Sequence, residues 1–314
     1  MAGHNTGNSE LLIRTEVWSS QLKMVLEDQL MAAGYVNWLS EFPDGTTFTI
    51  PSVGQASVED YIEDEAITYQ ALDTGEFTLT INKYKASGIY ITDKAKQDAF
   101  YMNQLVSSFV PKQERAMMEQ VESDVFGLQS EQTASDLNAI NGANHRFVAG
   151  GTNEVMEPED FARARYALKK ANVPDTSLIA IVDPSVEYAI NTISNLANVS
   201  NNPRWEGVIA EGIATGMRFV KNVYGFDVFV SNNLADSNQT IDSKTTAAGK
   251  ANMFFSAEPD VLPFIGAWRQ LPAVESERNK DFQRDEFVIS SRYGVKLFRP
   301  ENLVCVLSDT DQVS

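Results

Sequence analysis

The sequence predicts an α+β protein, and three patterns predict it. Phe77, Leu79 and Ile81 alternate with Glu76, Thr78, Thr80 and Asn82, the period of a strand with one apolar face. From Asp93 to Leu128 the apolar positions step by three or four instead, as along one stripe of a long helix. Beyond residue 173, short apolar strands and a helix interleave: SLIAIVD, PSVEYAINTISNLA, MRFVKNVYG, FDVFVSNNL and ANMFFS, the pattern of a compact α/β unit. A chain of 314 residues, 43% hydrophobic and 10% aromatic, can bury such a core.

Taken from the start, residues 9–32 read as a surface helix. Leu12, Trp18, Leu22, Val25, Leu26 and Leu30 recur at helical spacing among Glu16, Lys23, Glu27 and Asp28, and Gly34 ends it. From Phe42 to Ile91 the pattern is extended, with turn chemistry at Pro43-Asp44-Gly45 and Thr74-Gly75. Its last strand runs from Phe77 through Tyr84, resumes at Ile89 and stops at Thr92-Asp93, a helix-start signal. This region holds too few large apolar residues for a core of its own. The helix from Asp93 carries Ala95, Ala99, Met102, Val106 and Phe109, then Met117, Val121 and Val125. Unbroken it would span about 50 Å, and Pro111 is expected to kink or split it. Residues 128–155, rich in Ser, Asn and Gly, read as an inserted loop. A helix from Pro158 to Asn172 follows, then the α/β unit, whose helix Pro184 opens at its first turn. The final segment, WRQLPAVESERN and DEFVISSRYGVKLFRPENLVCVL, is strand-rich, with a turn at Pro300-Glu301-Asn302.

Charge and composition narrow the function. A formal charge of -18 argues against tight, sequence-independent nucleic-acid binding, which needs clustered Lys and Arg, although an acidic protein can enclose nucleic acid without gripping it. Cys305, the single cysteine, sits in the apolar run LVCVL and reads as a reduced core thiol. The N-terminal MAGHNTGNSE has no apolar signal region, and no stretch approaches the roughly 18 apolar residues of a membrane span. His4 and His145 are the only histidines, which leaves no Ser-His-Asp, Cys-His or histidine-metal arrangement. TTAAGK at 245–250 imitates a phosphate loop but has Lys244 where the first glycine belongs and Ala251 where a hydroxyl should bind magnesium. GIATG at 212–216 lacks dinucleotide-loop spacing. Met102, Met117 and Met118 fit the helix core. No catalytic, cofactor or metal site is expected. The acidic run of Glu59, Asp60, Glu63, Asp64 and Glu65 lacks the order of a calcium loop and reads as a solvated or partner-facing loop. Its counterpart would be basic, with Lys83, Lys85, Lys94, Lys96, Arg163, Arg165, Lys169 and Lys170 available, and pairing between copies would fix orientation more than affinity.

With the chemistry list empty, the order of parts resembles the major capsid proteins of tailed bacteriophages, the Hong Kong 97-type capsid fold. IPSVGQASVEDYIEDEAITYQALDTGEFTLTINKYKASGIYITDKAKQDA resembles that family's extended loop and its return into a helix. The helix from Asp93 resembles the spine helix. LIAIVDPSVEYAI resembles the strand, Asp-Pro turn and helix of the axial domain, YGFDVFVSNNL the paired strand ending in S-N-N-L, and RYGVKLFRPENLVCVL the closing strands. Pro111 and the 128–155 insertion depart from the usual pattern.

The resemblance implies an N-terminal arm over residues 1–42, an extended loop over 43–91, a peripheral domain from 92–172 and 272–314, and an axial domain over 173–271. It also implies a non-enzymatic subunit without cofactors that self-assembles into pentamers and hexamers of an icosahedral head enclosing double-stranded DNA. Such a head is a virion component built in the host cytoplasm, with scaffolding, portal and cement proteins as partners and no membrane. The expected intersubunit contacts are Glu59, Asp60, Glu63, Asp64, Glu65, Phe77, Leu79, Ile81, Lys83 and Lys85, placed where a loop over a neighbour finds partners that its own chain lacks. Some relatives cross-link a loop lysine to a neighbour, and Lys83 and Lys85 occupy that region. The extra 128–155 segment would add a contact loop. An encapsulin-like nanocompartment shell enclosing an enzyme is the alternative on the same fold, and an α/β enzyme with a Lys or carboxylate site is the alternative of a different class.

Overall fold

The computed structural model describes residues 30–39, 47–53, 74–98, 102–132, 136–192 and 219–310, together with positions 45, 58, 60, 63 and 64. The helix expected before residue 30 and the loop NVSNNPRW lie outside the described residues. In chain order the strands are β1 (Val36–Leu39), β2 (Thr47–Val53), β3 (Thr74–Thr80), β4 (Lys83–Thr92), β5 (Ala139–Ile140), β6 (Ala143–Asn144), β7 (Arg146–Val148) and β8 (Leu178–Val182). They continue with β9 (Phe219–Val223), β10 (Phe226–Val230), β11 (Thr240–Ile241), β12 (Lys244–Thr245), β13 (Gly249–Ser256), β14 (Phe264–Asn279), β15 (Arg284–Leu297) and β16 (Val304–Asp309). The helices are α1 (Asp93–Asp98), α2 (Met102–Gly127), α3 (Pro158–Lys170) and α4 (Pro184–Thr192).

Two sheets organise these elements. A six-stranded sheet runs in the order β7-β16-β13-β8-β10-β9, and a four-stranded sheet in the order β1-β14-β15-β4. Every residue of β8 is buried, which is why LIAIV reads as one apolar run: both faces of its sheet are covered. Successive residues of β13 show the two faces. Phe254 meets Phe161 of α3 and Phe226 of β10 edge-on, each at 5.2 Å, within a core that also takes Leu168, Val186 and Ile190. Phe255 points the other way, meeting Phe264 at 6.0 Å in the core that Val121, Val125 and Phe126 of α2 share with Tyr293 and Val295. The spine-like helix α2 is therefore clamped between the two sheets.

Asp183 accepts the backbone N–H and hydroxyl of Ser185 at 2.9 and 2.7 Å, which fixes the start of α4 at the Asp-Pro step. Asn302, buried in the Pro-Glu-Asn turn, accepts the Ser256 N–H and donates to the carbonyls of Ser256 and Val261, joining the ends of β13 and β16.

Several expectations are corrected. The strand from Phe77 to Tyr84 is two strands: β3 pairs with β2, the chain breaks at Ile81-Asn82, and β4 pairs with β15. The break is where the chain crosses β15 at Gly294, whose absent Cβ would lie 2.5 Å from the Thr80 carbonyl oxygen. Helix α2 continues through Pro111, which is exposed; an outward-facing proline removes one backbone bond without ending the helix. Residues 128–155 are not a peripheral insertion. They contribute β7 to the six-stranded sheet, and His145, Arg146, Phe147 and Val148 are all buried. Arg146 hid this strand in a polar stretch; its guanidinium is satisfied internally by the Gln129 carbonyl at 3.0 Å, Gln239 at 2.9 Å and Ser237 at 3.3 Å. Burial pushes the His145 imidazole below its usual range, so the ring is neutral, and its Nδ1–H donates to the Ala143 carbonyl at 3.0 Å. β16 likewise lies between β7 and β13 instead of joining the four-stranded sheet, because LVCVL needs cover on both faces. Cys305 within it is fully buried, its thiol pushed up to about 11 by burial.

Candidate intersubunit surface

Two β elements reach beyond the cores. The first is the hairpin β2–β3, in register from Thr47↔Thr80 to Val53↔Thr74. Phe48 faces Leu79 and Ile50 faces Phe77 across it, so its apolar residues share one face. That face is covered by the same chain near its root. Leu79 and Ile81 are buried against Ile265 and Ala267, and Phe77 meets Phe298 edge-on at 4.9 Å, with Lys296 Nζ over its ring and donating to the Thr78 carbonyl at 2.9 Å. Leu79 and Ile81, expected to await a neighbour, therefore already have partners; an apolar strand face this close to the body is cheaper to bury at home. Beyond the ladder, Asp60, Glu63 and Asp64 are exposed and Val58 is 96% exposed. Glu59 and Glu65 lie outside the described residues. Lys83 is engaged within the chain, its Nζ 3.4 Å from Asp124, which also accepts the Tyr293 hydroxyl at 2.6 Å. Burial and that carboxylate both push the Tyr293 hydroxyl upward, so it stays protonated. Lys85 is half-buried and has no side-chain partner among the described residues.

The second element is the long hairpin β14–β15 with β4 alongside, which sequence reading did not single out. It exposes Tyr84 (66%) near its root and Leu271 (65%), Tyr90 (60%) and Phe282 (66%) farther out. The signal was present: from Trp268 to Val288 nothing has helical periodicity, and Asn279-Lys-Asp is turn chemistry between two alternating runs. The tip is tied to the start of α1 by charge. Arg278 forks onto Asp93 at 2.9 and 2.6 Å and reaches Asp285 at 3.0 Å, while Lys96 also contacts Asp285. The Arg278 hydrogen bonds hold Asp93 well below the usual carboxylate range, and those from Lys96 and then Arg278 do the same for Asp285. The basic residues of α3 are partly occupied too: Arg165 and Lys169 pair with Asp175 at 2.7 and 3.0 Å, and Arg163 lies 3.7 Å from Asp160.

At the body end, one buried side chain fixes where the N-terminal segment arrives. Glu122 of α2 accepts the N–H groups of Met31 and Ala32 at 2.6 and 3.2 Å on one oxygen, and Asn233 and Ser231 at 3.0 and 3.4 Å on the other. Ser231 and Asn233 are two of the three polar residues of S-N-N-L, so that motif has a chemical role no local pattern reveals. Among the described residues no group of His, Cys, Asp and Glu is placed to hold a metal ion, and no helix is long and apolar enough to cross a membrane. The arrangement is one for contact.

The comparisons agree with that character. The model of the phage capsid protein family matches residues 74–306. No curated protein matches the sequence significantly. Among solved structures, a chain of Mycobacterium phage Che8 is 19% identical with a TM-score of 0.69, over 94% of this chain and 97% of that one. The capsid structure of the cyanophage P-SCSP1u is 15% identical with a TM-score of 0.72, over 98% and 95%. The mature capsid of bacteriophage PhiM1 is 11% identical with a TM-score of 0.70, over 95% and 93%. At these identities the likeness is one of fold.

Proposed function

Because this chain belongs to the phage capsid protein family, it is a major capsid protein of the Hong Kong 97-type fold and a virion component, and we propose that its copies join as pentamers and hexamers of an icosahedral head around double-stranded DNA. The observation that carries the proposal is the exposure of large apolar side chains on both extended elements, Val58 beyond β2 and Leu271 and Phe282 on the long hairpin. A lone soluble chain pays for such exposure in aggregation, whereas a shell subunit covers it with neighbours. In this reading the loop beyond β2–β3, with Glu59, Asp60, Glu63, Asp64 and Glu65, lies over an adjacent subunit, and Lys83, held by Asp124, serves the subunit's own packing.

The domain division follows the sheets more closely than the sequence did. We assign the six-stranded sheet with α3 and α4 to the axial domain, so that β7 and β16 move into it, and α1, α2 and the four-stranded sheet to the peripheral domain. The N-terminal arm expected over residues 1–42 is tied to the body at its end, where Glu122 holds Met31 and Ala32 and β1 joins the four-stranded sheet. The subunit's role is structural, its assembly takes place in the host cytoplasm, and scaffolding, portal and cement proteins are its expected partners. The test is to purify the chain alone and with a scaffolding partner and to examine both by electron microscopy and light scattering. Closed shells are the expected product, and particles from the native source should hold nuclease-protected double-stranded DNA. Protein that stays monomeric under both conditions contradicts the proposal, and shells filled with an enzyme and no DNA would make it a nanocompartment.

A further inference from the structure

The TTAAGK loop that imitates a phosphate site does hold an oxyanion, and the oxyanion is the chain's own. The N–H groups of Ala247 and Ala248 converge on Oδ2 of Asp309 at 3.0 and 3.4 Å. Successive amides aimed at one oxygen form a nest of the kind that receives anions. Asp309 stands at the end of β16, opposite Gly249 in the ladder, and is 9% exposed. Thr310 grips the same loop, its N–H and hydroxyl donating to the Ala248 carbonyl at 3.2 and 3.0 Å. The glycine of the motif permits a close approach: a Cβ on Gly249 would lie 2.4 Å from the Ser237 carbonyl oxygen and 2.5 Å from Thr246 Oγ1. The lysine is turned away. Lys250 Nζ lies 2.6 Å from Asp236 and donates to the Leu234 carbonyl at 3.3 Å, so the motif's cation is engaged elsewhere and the nest suits a singly charged carboxylate better than a phosphate.

Behind the nest the same loop reaches a buried charge. Thr246 Oγ1 donates to the Ser237 carbonyl at 2.9 Å and accepts the Gln239 N–H at 3.3 Å, while the Thr246 N–H donates to the Gln239 carbonyl at 3.1 Å. Ser237 and Gln239 are two of the three groups that hold Arg146, a fully buried guanidinium whose partners are all neutral. The third, the Gln129 carbonyl, belongs to the turn that follows α2. A buried cation held only by dipoles depends on those dipoles staying in place. Asp309 anchors the loop from one side, Thr246 ties it to residues 237–239 on the other, and these seat Arg146 against the end of α2.

We propose that residues 246–248 are a carboxylate-binding site with Asp309 as its resident ligand, and that filling this site keeps Ser237 and Gln239 on Arg146. Ala247 is exposed, so a small anion from solvent can reach the nest once the Asp309 carboxylate is removed. The site lies within one subunit and is complete before any copies join.

The experiment uses the full-length, unassembled chain, read by thermal melting and residue-resolved amide exchange in chloride, formate or phosphate at equal ionic strength. D309A is expected to melt about 5 °C below the parent. It should lose amide protection at 246–249 and, beyond Thr246, at 237–239 and 129–132. D309N keeps an acceptor oxygen in the nest, so it should melt between the two and stay insensitive to formate. In D309A, formate should recover about half of the lost melting temperature, and protection in all three regions with it. That gain should exceed the gain from phosphate, and exceed what either anion adds to the parent. Equal gains from formate in D309A and the parent, the mark of a general salt effect, would overturn the site, as would D309A melting like the parent. Phosphate matching formate in D309A would overturn the assignment to a carboxylate, and loss of protection confined to 246–249 would overturn the link to Arg146. Should D309A fail to fold, D309N decides: parental melting and exchange in that variant would overturn the proposal, and partial loss at both 246–249 and 237–239 would support it.

Discussion

Glu122 joins three segments far apart in sequence: the residues entering β1, the middle of α2 and the turn after β10. A carboxylate 2% exposed is tolerable in a core only when its lone pairs are filled, and here four donors fill them. E122A leaves those donors without an acceptor and should lower stability by about 2–5 kcal/mol in urea unfolding. E122Q keeps one acceptor but turns a donor toward two others, and should fall between parent and alanine. None of this was legible in the sequence. Ser231 and Asn233 read as the polar end of a strand, and their partner lies 109 and 111 residues earlier in the chain. Cys305 was legible, because a thiol between Val304 and Val306 has only the core to go to. Leu79 and Ile81 were legible as apolar strand residues but not in their destination, since alternation says that a face needs covering and not which chain supplies the cover.

The distal hairpin and the loop are the elements on which assembly is expected to turn. At the tip, depressed carboxylate values at Asp93 and Asp285 mean that the staple's stabilisation is fully present above the ordinary carboxylate pKa of about 4 and is lost only as pH falls through the lowered folded values. Amide protection factors over residues 278–285 should hold steady from neutral pH down to that point and drop below it. R278Q should lower them at every pH, and loss of protection in the parent already near pH 6 would contradict the assignment. For the loop, replacing residues 54–73 by a short Gly-Ser turn keeps the β2–β3 ladder, so the variant should fold and melt like the parent yet fail to form stable shells. Loss of folding would place the loop in the core instead. Sequence periodicity found α2, α3 and β8 because each must bury one stripe or both faces. It missed β7 because a strand of three residues beginning with arginine carries almost no periodic signal, and it ran β3 into β4 because the break at Ile81-Asn82 has no glycine or proline of its own. The glycine that permits the crossing, Gly294, stands on the strand underneath.

Over the whole molecule, a net charge of -18 favours a container that can fill and empty. Purified empty shells should therefore retain essentially no added double-stranded DNA in a filter-binding or gel-shift assay at physiological salt, whereas strong retention would point to a basic inner surface hidden in the average. The order of parts was legible, since strand, acidic loop, long helix and α/β unit follow one another as the sequence presents them. The sheet order was not, because neighbours such as β7 and β16 are brought together by packing across the length of the chain. That pairing has a consequence for synthesis. β16 belongs between β7 and β13, but it is made after every other strand of its sheet. At about 5–20 residues per second, a growing chain holds the edges of β7 and β13 open for some seconds while residues 257–309 are added. A subunit whose translation stops before β16 thus keeps a split sheet, with β7 and β13 both left without the strand that joins them.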